Sequence, residues 1–313
     1  MSPDSNAVAN SGFVVLDQSV LVFDTHFTPE AGEALLSEIR SITSKPVRYV
    51  ANSHWHADHT HGNQVFSNAQ LIGHTNTRRD MLQIDLPSSH RTAKIAESQL
   101  EKLRKEMLRE TVPAQIRILR EQIMSREEYL QTASRLKISA PVVTLDDELT
   151  LRDGNQIVRF LYLGAGHTDG DIVLFLPAYK IAFVGDLFFS HAIPNVQDAS
   201  ILQWMKTLRE LLKLDADMFV PGHGSPGSKK DIESFLQYFD ELKSLVQPSV
   251  DRGDVMEQAA REIQIPEKYS SYQFQNFFQS NVQKMFAEIK ALKLETPPAE
   301  NPAKTDARRQ PKQ

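Results

Sequence analysis

The 313-residue chain contains no cysteine. Disulfides, thiolate metal sites and a cysteine nucleophile are therefore excluded. The redox compartment stays open, because a chain without thiols tolerates reducing and oxidising surroundings alike. Long hydrophobic runs are missing too: none reaches the roughly 18 residues that a membrane-spanning helix requires. Met1 to Asn10 has neither the basic nor the apolar stretch of a signal peptide, so a cytoplasmic location is expected, with no membrane partner. Neither sign of charge is in large excess. The 35 Lys and Arg against 40 Asp and Glu leave a formal net charge of −5, which gives no reason to expect nucleic acid as a partner. What remains, 41% hydrophobic and 24% charged residues, suits a soluble globular protein with one large core, or a core and a small appendage.

Along the chain, strand-like and helix-like segments alternate. Phe13–Leu16 and Val20–Phe23 are expected strands, Pro29–Ile42 an amphipathic helix and Val47–Ala51 a strand. This order predicts α/β layering, with functional loops at the carboxyl ends of strands. Residues 88–138 differ: they are helical in period and rich in charge. From Arg91 to Lys137 there are 11 Lys and Arg against 7 Asp and Glu. Pro113 should break this stretch into two helices. A solvated helical hairpin is expected there, with a lid or a homodimer arm as the sharper alternative. Strands are expected again at 142–145, 149–151 and 158–163, and a hairpin over 171–184. A helix over 200–214, a strand at 218–220 and helices within 231–295 follow. Residues 1–10 and the Pro-rich stretch 296–313 are expected to be disordered, which leaves one domain over 11–295.

The run His54-Trp55-His56-Ala57-Asp58-His59 places four metal-ligand side chains within six residues. A single histidine is usually a surface or packed group, but such a group at a strand end is a specific signal. In extended backbone alternate side chains point the same way, so His54 and His56 can converge on one ion. Asp58 and His59, past a turn, can face another. His167, Asp186 and His223 each adjoin a glycine at the end of a strand-like run. The expected assignment gives His54, His56 and His167 to one ion and Asp58, His59 and His223 to the other, with Asp186 bridging. Imidazole and carboxylate donors suit zinc and similar first-row metals. Two such ions activate water near neutral pH and polarise a carbonyl or phosphoryl oxygen. Asp58 is then the candidate catalytic residue, as proton acceptor from that water. Asp24, at the end of its strand, and Thr168 are candidates to hold a ligand histidine from behind. His191 is a candidate substrate contact, and Trp55, Phe188 and Phe189 are candidates for an apolar pocket. His26, His61, His74 and His90 are expected at the surface or around the ligands.

The set Asp24, His54-x-His56-x-Asp58-His59, Gly166-His167-Thr168, Gly185-Asp186 and Pro221-Gly222-His223-Gly224 resembles the metallo-β-lactamase superfamily. That resemblance covers residues 12 to 225 and implies a four-layer αβ/βα sandwich with the metals at one rim. It also implies hydrolysis of an ester, thioester, lactam or phosphodiester by a small-molecule enzyme holding two zinc ions per chain, with iron or manganese as alternatives. An aspartate at position 186 is similar to the glyoxalase II, phosphodiesterase and general hydrolase branches, including the quinoprotein relay system zinc hydrolases, more than to true β-lactamases. The insert at 88–138 and the C-terminal helices at 231–295 lie outside the minimal fold. The competing expectation is a mononuclear iron oxidoreductase similar to persulfide dioxygenases, built on His54, His167 and Asp186. Retention of the other four ligand residues favours two metals.

Overall fold

A computed structural model describes residues 8–295. The chain folds as β1 (Gly12–Val15), β2 (Val20–Phe23), α1 (Pro29–Ile42), β3 (Val47–Ala51), α2 (Ala57–Thr60), β4 (Gln70–His74) and α3 (Thr75–Asp80). There follow α4 (Leu86–Met107), α5 (Pro113–Arg135), β5 (Val143–Leu145), β6 (Glu148–Asp153), β7 (Gln156–Tyr162), β8 (Ile172–Leu176) and β9 (Ile181–Phe189). Last come α6 (Ile201–Leu211), β10 (Met218–His223), α7 (Lys229–Arg252), α8 (Met256–Glu262) and α9 (Phe278–Glu295). One sheet has the order β1-β2-β3-β4-β5, the other β10-β9-β8-β7-β6. The first is parallel apart from the β1–β2 hairpin; the second is antiparallel apart from β9–β10.

The period of two in the strands decides which layer each side chain joins. In β2, Leu21 and Phe23 enter the core between the sheets, beside Phe160, Ile172 and Leu174. Val20 and Val22 point the other way and pack with Ile39 of α1 and Val50. The outer face of the second sheet, including Leu161 and Val173, packs on Trp204 of α6, Phe235 and Phe239 of α7 and Met285 of α9. Helix, sheet, sheet and helix therefore stack in four layers, as expected. Helix α1 starts where Thr28 accepts a hydrogen bond from Ala31 N, with Pro29 in its first turn.

The charged insert is a pair of helices, α4 and α5, and Pro113 is the first residue of the second. Its dry side is narrow: Ala96 and Leu100 of α4 and Leu119 and Ile123 of α5 are its buried residues. The helical path starts earlier than the expected residue 88. It runs from α3 through a single π-helical turn, Met81–Asp85, straight into α4. The wide turn aims Asp85 at His61, whose Nε2 lies 3.2 Å from both carboxylate oxygens.

Three expectations are corrected. Residues 1–7 and 296–313 lie outside the described residues, but Ala9 is buried. Asn10, also expected to be disordered, donates through Nδ2 to Pro221 O (2.9 Å) and Gly224 O (2.8 Å), which ties it to the turn that carries His223. His61 and His74 are neither at the surface nor against a ligand: both are buried, His61 stacks on Phe27, and His74 caps α3 by accepting from Asn76 N. Strands β9 and β10 continue through Asp186 and His223 instead of ending before them. Register shifts around Pro221 let the pair run on.

Candidate metal centre

Every expected ligand sits at the same rim of the two sheets. His54 and His56 follow β3, Asp58 and His59 lie on α2, His167 follows β7, and Asp186 and His223 belong to β9 and β10. Local backbone makes this convergence possible. Gly185 adopts φ +51, a left-handed conformation, and a β-carbon there would lie 2.4 Å from Cβ of Ser53. Only glycine lets β9 pass that close to the segment carrying His54.

The donor atoms fall into two groups joined by one carboxylate. His56 Nδ1 lies 3.0 Å from His54 Nε2 and 3.0 Å from His167 Nε2. In the other group, Asp58 Oδ2 is 3.5 Å from His59 Nε2 and 3.3 Å from His223 Nε2. Asp186 spans both: Oδ1 is 3.3 Å from His59 Nε2, while Oδ2 is 3.3 Å from His167 Nε2 and 3.5 Å from His223 Nε2. Each trio of the expected assignment has donor atoms within 4.8 Å of one another, as do His54, His59 and Asp186.

Bonds behind the imidazoles set which nitrogen faces inward. Asp24 accepts from Ser53 N (2.7 Å) and Ser53 Oγ (2.7 Å), and pairs with His59 Nδ1 at 2.8 Å. Ser53 has a single hydroxyl proton. Once that proton points at Asp24, His54 Nδ1, 2.9 Å away, must donate to Ser53 Oγ. His56 Nε2 meets Asp198 Oδ2 at 3.0 Å. These partners hold a proton on the outer nitrogen of His54, His56 and His59, leaving an unprotonated nitrogen toward the centre. Two of them, His54 Nε2 and His56 Nδ1, lie 3.0 Å apart and repel one another unless a cation lies between them. His59 Nε2 and Asp186 Oδ1 are also buried without a hydrogen-bond partner. Orphaned buried acceptors are costly, so the donor set fits bound metal ions.

Titration behaviour agrees with this. Burial, reinforced by neighbouring imidazoles, holds His54 well below its ordinary range. Burial also takes His167 down to about 3, against the pull of Asp186. Burial acts against charge on His223 as well, but Asp186 and Asp58 prevail and raise it to about 9. Asp58 and Asp186 are pushed up by burial and pulled down further by imidazoles, chiefly His59 for the first and His223 for the second, so both are carboxylates. The site is built for positive charge: the carboxylates facing His59 and His223 push both imidazoles above their ordinary range against the effect of burial.

Two expected residues take other places. Thr168 does not reach a ligand imidazole; its N and Oγ donate to the two oxygens of buried Asp171, at 2.8 and 2.9 Å. His191 is exposed, with its ring on Tyr272. Phe189 stacks on the His223 ring at 5.3 Å, Trp55 stands edge-on to His56 at 4.5 Å, and Phe188 is core against Phe235. Asp198, Ser53 and Phe274, which stands edge-on to His223, were not anticipated. The run Asn52-Ser53-His54 carried a signal for Ser53, since a hydroxyl beside a ligand histidine can bond behind it. Asp198 and Phe274 carried none, because both arrive from distant segments.

Back-to-back sheets, helices outside them and paired histidine and carboxylate trios at one rim define a class of metal-binding αβ/βα protein. Residues 6–223 match the family model of the metallo-beta-lactamase superfamily, and the chain belongs to that superfamily. It is 34% identical over 104 residues to a metallo-beta-lactamase type 2 of Bacillus sp. (strain 170), covering 32% of this chain and 40% of that protein. It is 20% identical over 269 residues to the linear primary-alkylsulfatase of Pseudomonas sp. (strain ATCC 19151), covering 82% of this chain and 50% of that protein. The chain thus spans half or less of the length of these relatives. Among solved structures, a metallo-beta-lactamase from Pontibacter korlensis superposes with a TM-score of 0.52 at 20% identity, over 73% of this chain and 85% of that one. That likeness shows the fold. Among the described residues, no helix is long and apolar enough to cross a membrane.

Proposed function

We propose that the protein is a two-metal hydrolase, with zinc as the working ion. The observation that carries this is Asp186: a single buried carboxylate within 3.5 Å of donor nitrogens from both trios. Bound there, a pair of divalent cations supplies a nucleophile from water at neutral pH and Lewis acidity toward the substrate. The chain's own residues do the rest. Asp24, Ser53 and Asp198 hold three imidazoles in one tautomer and one orientation. Asp58, with 24% of its side chain exposed, is the ligand carboxylate open to solvent. It is placed to take the proton released from water and return it to the leaving group.

The reaction is hydrolysis of an ester, thioester, lactam or phosphodiester. The relatives widen the choice only slightly, since one is named as an alkylsulfatase and others as β-lactamases. The test is metal analysis of protein purified without chelator, then a turnover screen on zinc-loaded protein with generic ester, thioester, cephalosporin, sulfate-ester and bis-phosphodiester substrates. Two ions per chain and turnover in one class are expected, with Asp58→Asn at least about 100-fold slower. Fewer than two ions per chain, or full activity in Asp58→Asn, would overturn the proposal.

A further inference from the structure

The seven donor residues are not equally covered. His54, His59, His167 and Asp186 are buried, whereas Asp58, His56 and His223 are the three that reach solvent. The open side of the centre is therefore bounded by these three, and two of them carry an aromatic ring at their outer edge. Trp55 stands at 67° to His56 with ring centroids 4.5 Å apart. Phe274 stands at 87° to His223 with centroids 6.0 Å apart. One ring thus flanks each half of the centre, and neither is buried: Trp55 is half-buried and Phe274 is 39% exposed.

Phe274 is placed there against its own backbone preference. It has φ +59 and ψ +34, the left-handed region, which is strained for an L-residue. The preceding residue is clamped: Gln273 N donates to His191 O (3.0 Å) and Ile193 N donates to Gln273 O (2.9 Å). This short bridge grips the strand exit beyond Asp186 and forces the turn at 274. Strain of this kind collects at functional sites. The phenyl ring meets Phe277 at 6.2 Å and still leaves 39% of the residue exposed. The segment also lies outside residues 6–223, the part that matches the superfamily model.

We propose that Trp55 and Phe274 form an aromatic rim that grips the non-reacting part of the substrate, and that this part is an uncharged aromatic or extended apolar group. Two partly exposed rings beside a charged centre offer apolar contact to a group joined to the scissile bond. Their negative faces offer nothing to an anionic one. The proposal rests on the hydrolase reading above, in which substrate approaches from the open side.

The test uses two carboxylates, the product chemistry of ester, thioester and lactam hydrolysis, on zinc-loaded protein: acetate and 2-naphthylacetate, each titrated by calorimetry. The wild type should bind 2-naphthylacetate at least about 10-fold more tightly than acetate. Trp55→Ala and Phe274→Gly should each reduce that ratio by roughly 3-fold or more, and the double variant should bring it close to one, with zinc content unchanged. Phe274→Gly keeps the test decisive, because glycine accepts the left-handed turn and its thermal midpoint should hold or rise. Wild-type discrimination in the double variant with zinc retained would overturn the rim and leave the hydrolase reading standing, as would a wild type that does not discriminate. Protein that holds no zinc and binds neither carboxylate would remove both.

Discussion

A β-carbon on Gly222 would lie 1.8 Å from Oδ1 of Asp186 and 3.0 Å from Cε1 of His59. The carboxylate of Asp186 thus occupies the space that a side chain on β10 would need there, packed directly against the bare backbone. Gly222→Ala should fold, since no positive φ is required there, but must push the bridging carboxylate aside. The expected result is a fall in zinc affinity of about 10-fold or more, read by chelator competition, with unchanged far-ultraviolet circular dichroism. Two ions held at wild-type affinity would show that the carboxylate has room to move.

Asp24 carries three donors at once: Ser53 N, Ser53 Oγ and His59 Nδ1. It is itself in the left-handed region, at φ +59, which asparagine tolerates. Asp24→Asn therefore separates backbone from chemistry. Its single acceptor oxygen cannot serve all three donors. Zinc affinity should fall about 10- to 100-fold, and the metal-free protein should lose roughly 1–3 kcal/mol for an orphaned buried donor. Chelator titration and urea denaturation measure the two separately; a loss of stability without loss of affinity would confine Asp24 to a structural role.

The candidate ligands were legible in the sequence because each is announced locally. His54 to His59 form a compact run, and His167, Asp186 and His223 stand beside glycines after apolar strands. The four-layer fold was legible for a similar reason: strands such as Val20–Phe23 and helices such as Pro29–Ile42 carry clean periodicity. What failed was nonlocal or atypical. Strand β4, Gln70–His74, is five residues long and opens on a polar residue, so nothing marked it before its partner β3 was known. The run-on of β9 past Gly185 depends on a register shift with Pro221, which no single segment encodes. Asp198 meets His56 across 142 positions of sequence, and Phe274 reaches His223 only through the bridge at Gln273.

Asp171 gives a pH-dependent stability with a definite sign. Burial pushes its carboxyl up to about 8 from an ordinary 3.8, Asp186 and Asp169 add to the rise, and hydrogen bonds from Thr168 oppose it. The folded state therefore binds this proton more tightly than the unfolded one. The contribution to stability is complete below pH 3.8, fades as pH climbs toward 8 and is gone above it. In Asp171→Asn the amide oxygen can accept from Thr168 N and the amide can donate to Thr168 Oγ, with nothing left to titrate. In metal-free protein, urea denaturation at pH 5 and pH 8 should show the variant gaining on the wild type by at least about 1.4 kcal/mol, the equivalent of one pKa unit. A constant difference between the two pH values would mean that Asp171 is ionised throughout.

Helix α6 lacks a side-chain cap of its own, because Ser200 makes no capping bond. Glu288, from α9, supplies one: its Oε1 accepts from Ile201 N at 2.8 Å and its Oε2 from Leu202 N at 2.9 Å. A carboxylate there satisfies two of the helix's free N–H groups and meets the positive end of its dipole. The C-terminal helix thereby pins the start of α6, and with it the loop that delivers Asp198 to His56. Glu288→Ala should cost about 1–2 kcal/mol of stability, and Glu288→Gln less, since one amide oxygen can still accept. Zinc affinity should fall with the same ranking but by a smaller factor, because Asp198 is loosened rather than removed. Urea denaturation and chelator competition on both variants test this; unchanged stability in Glu288→Ala would show that solvent caps α6 equally well.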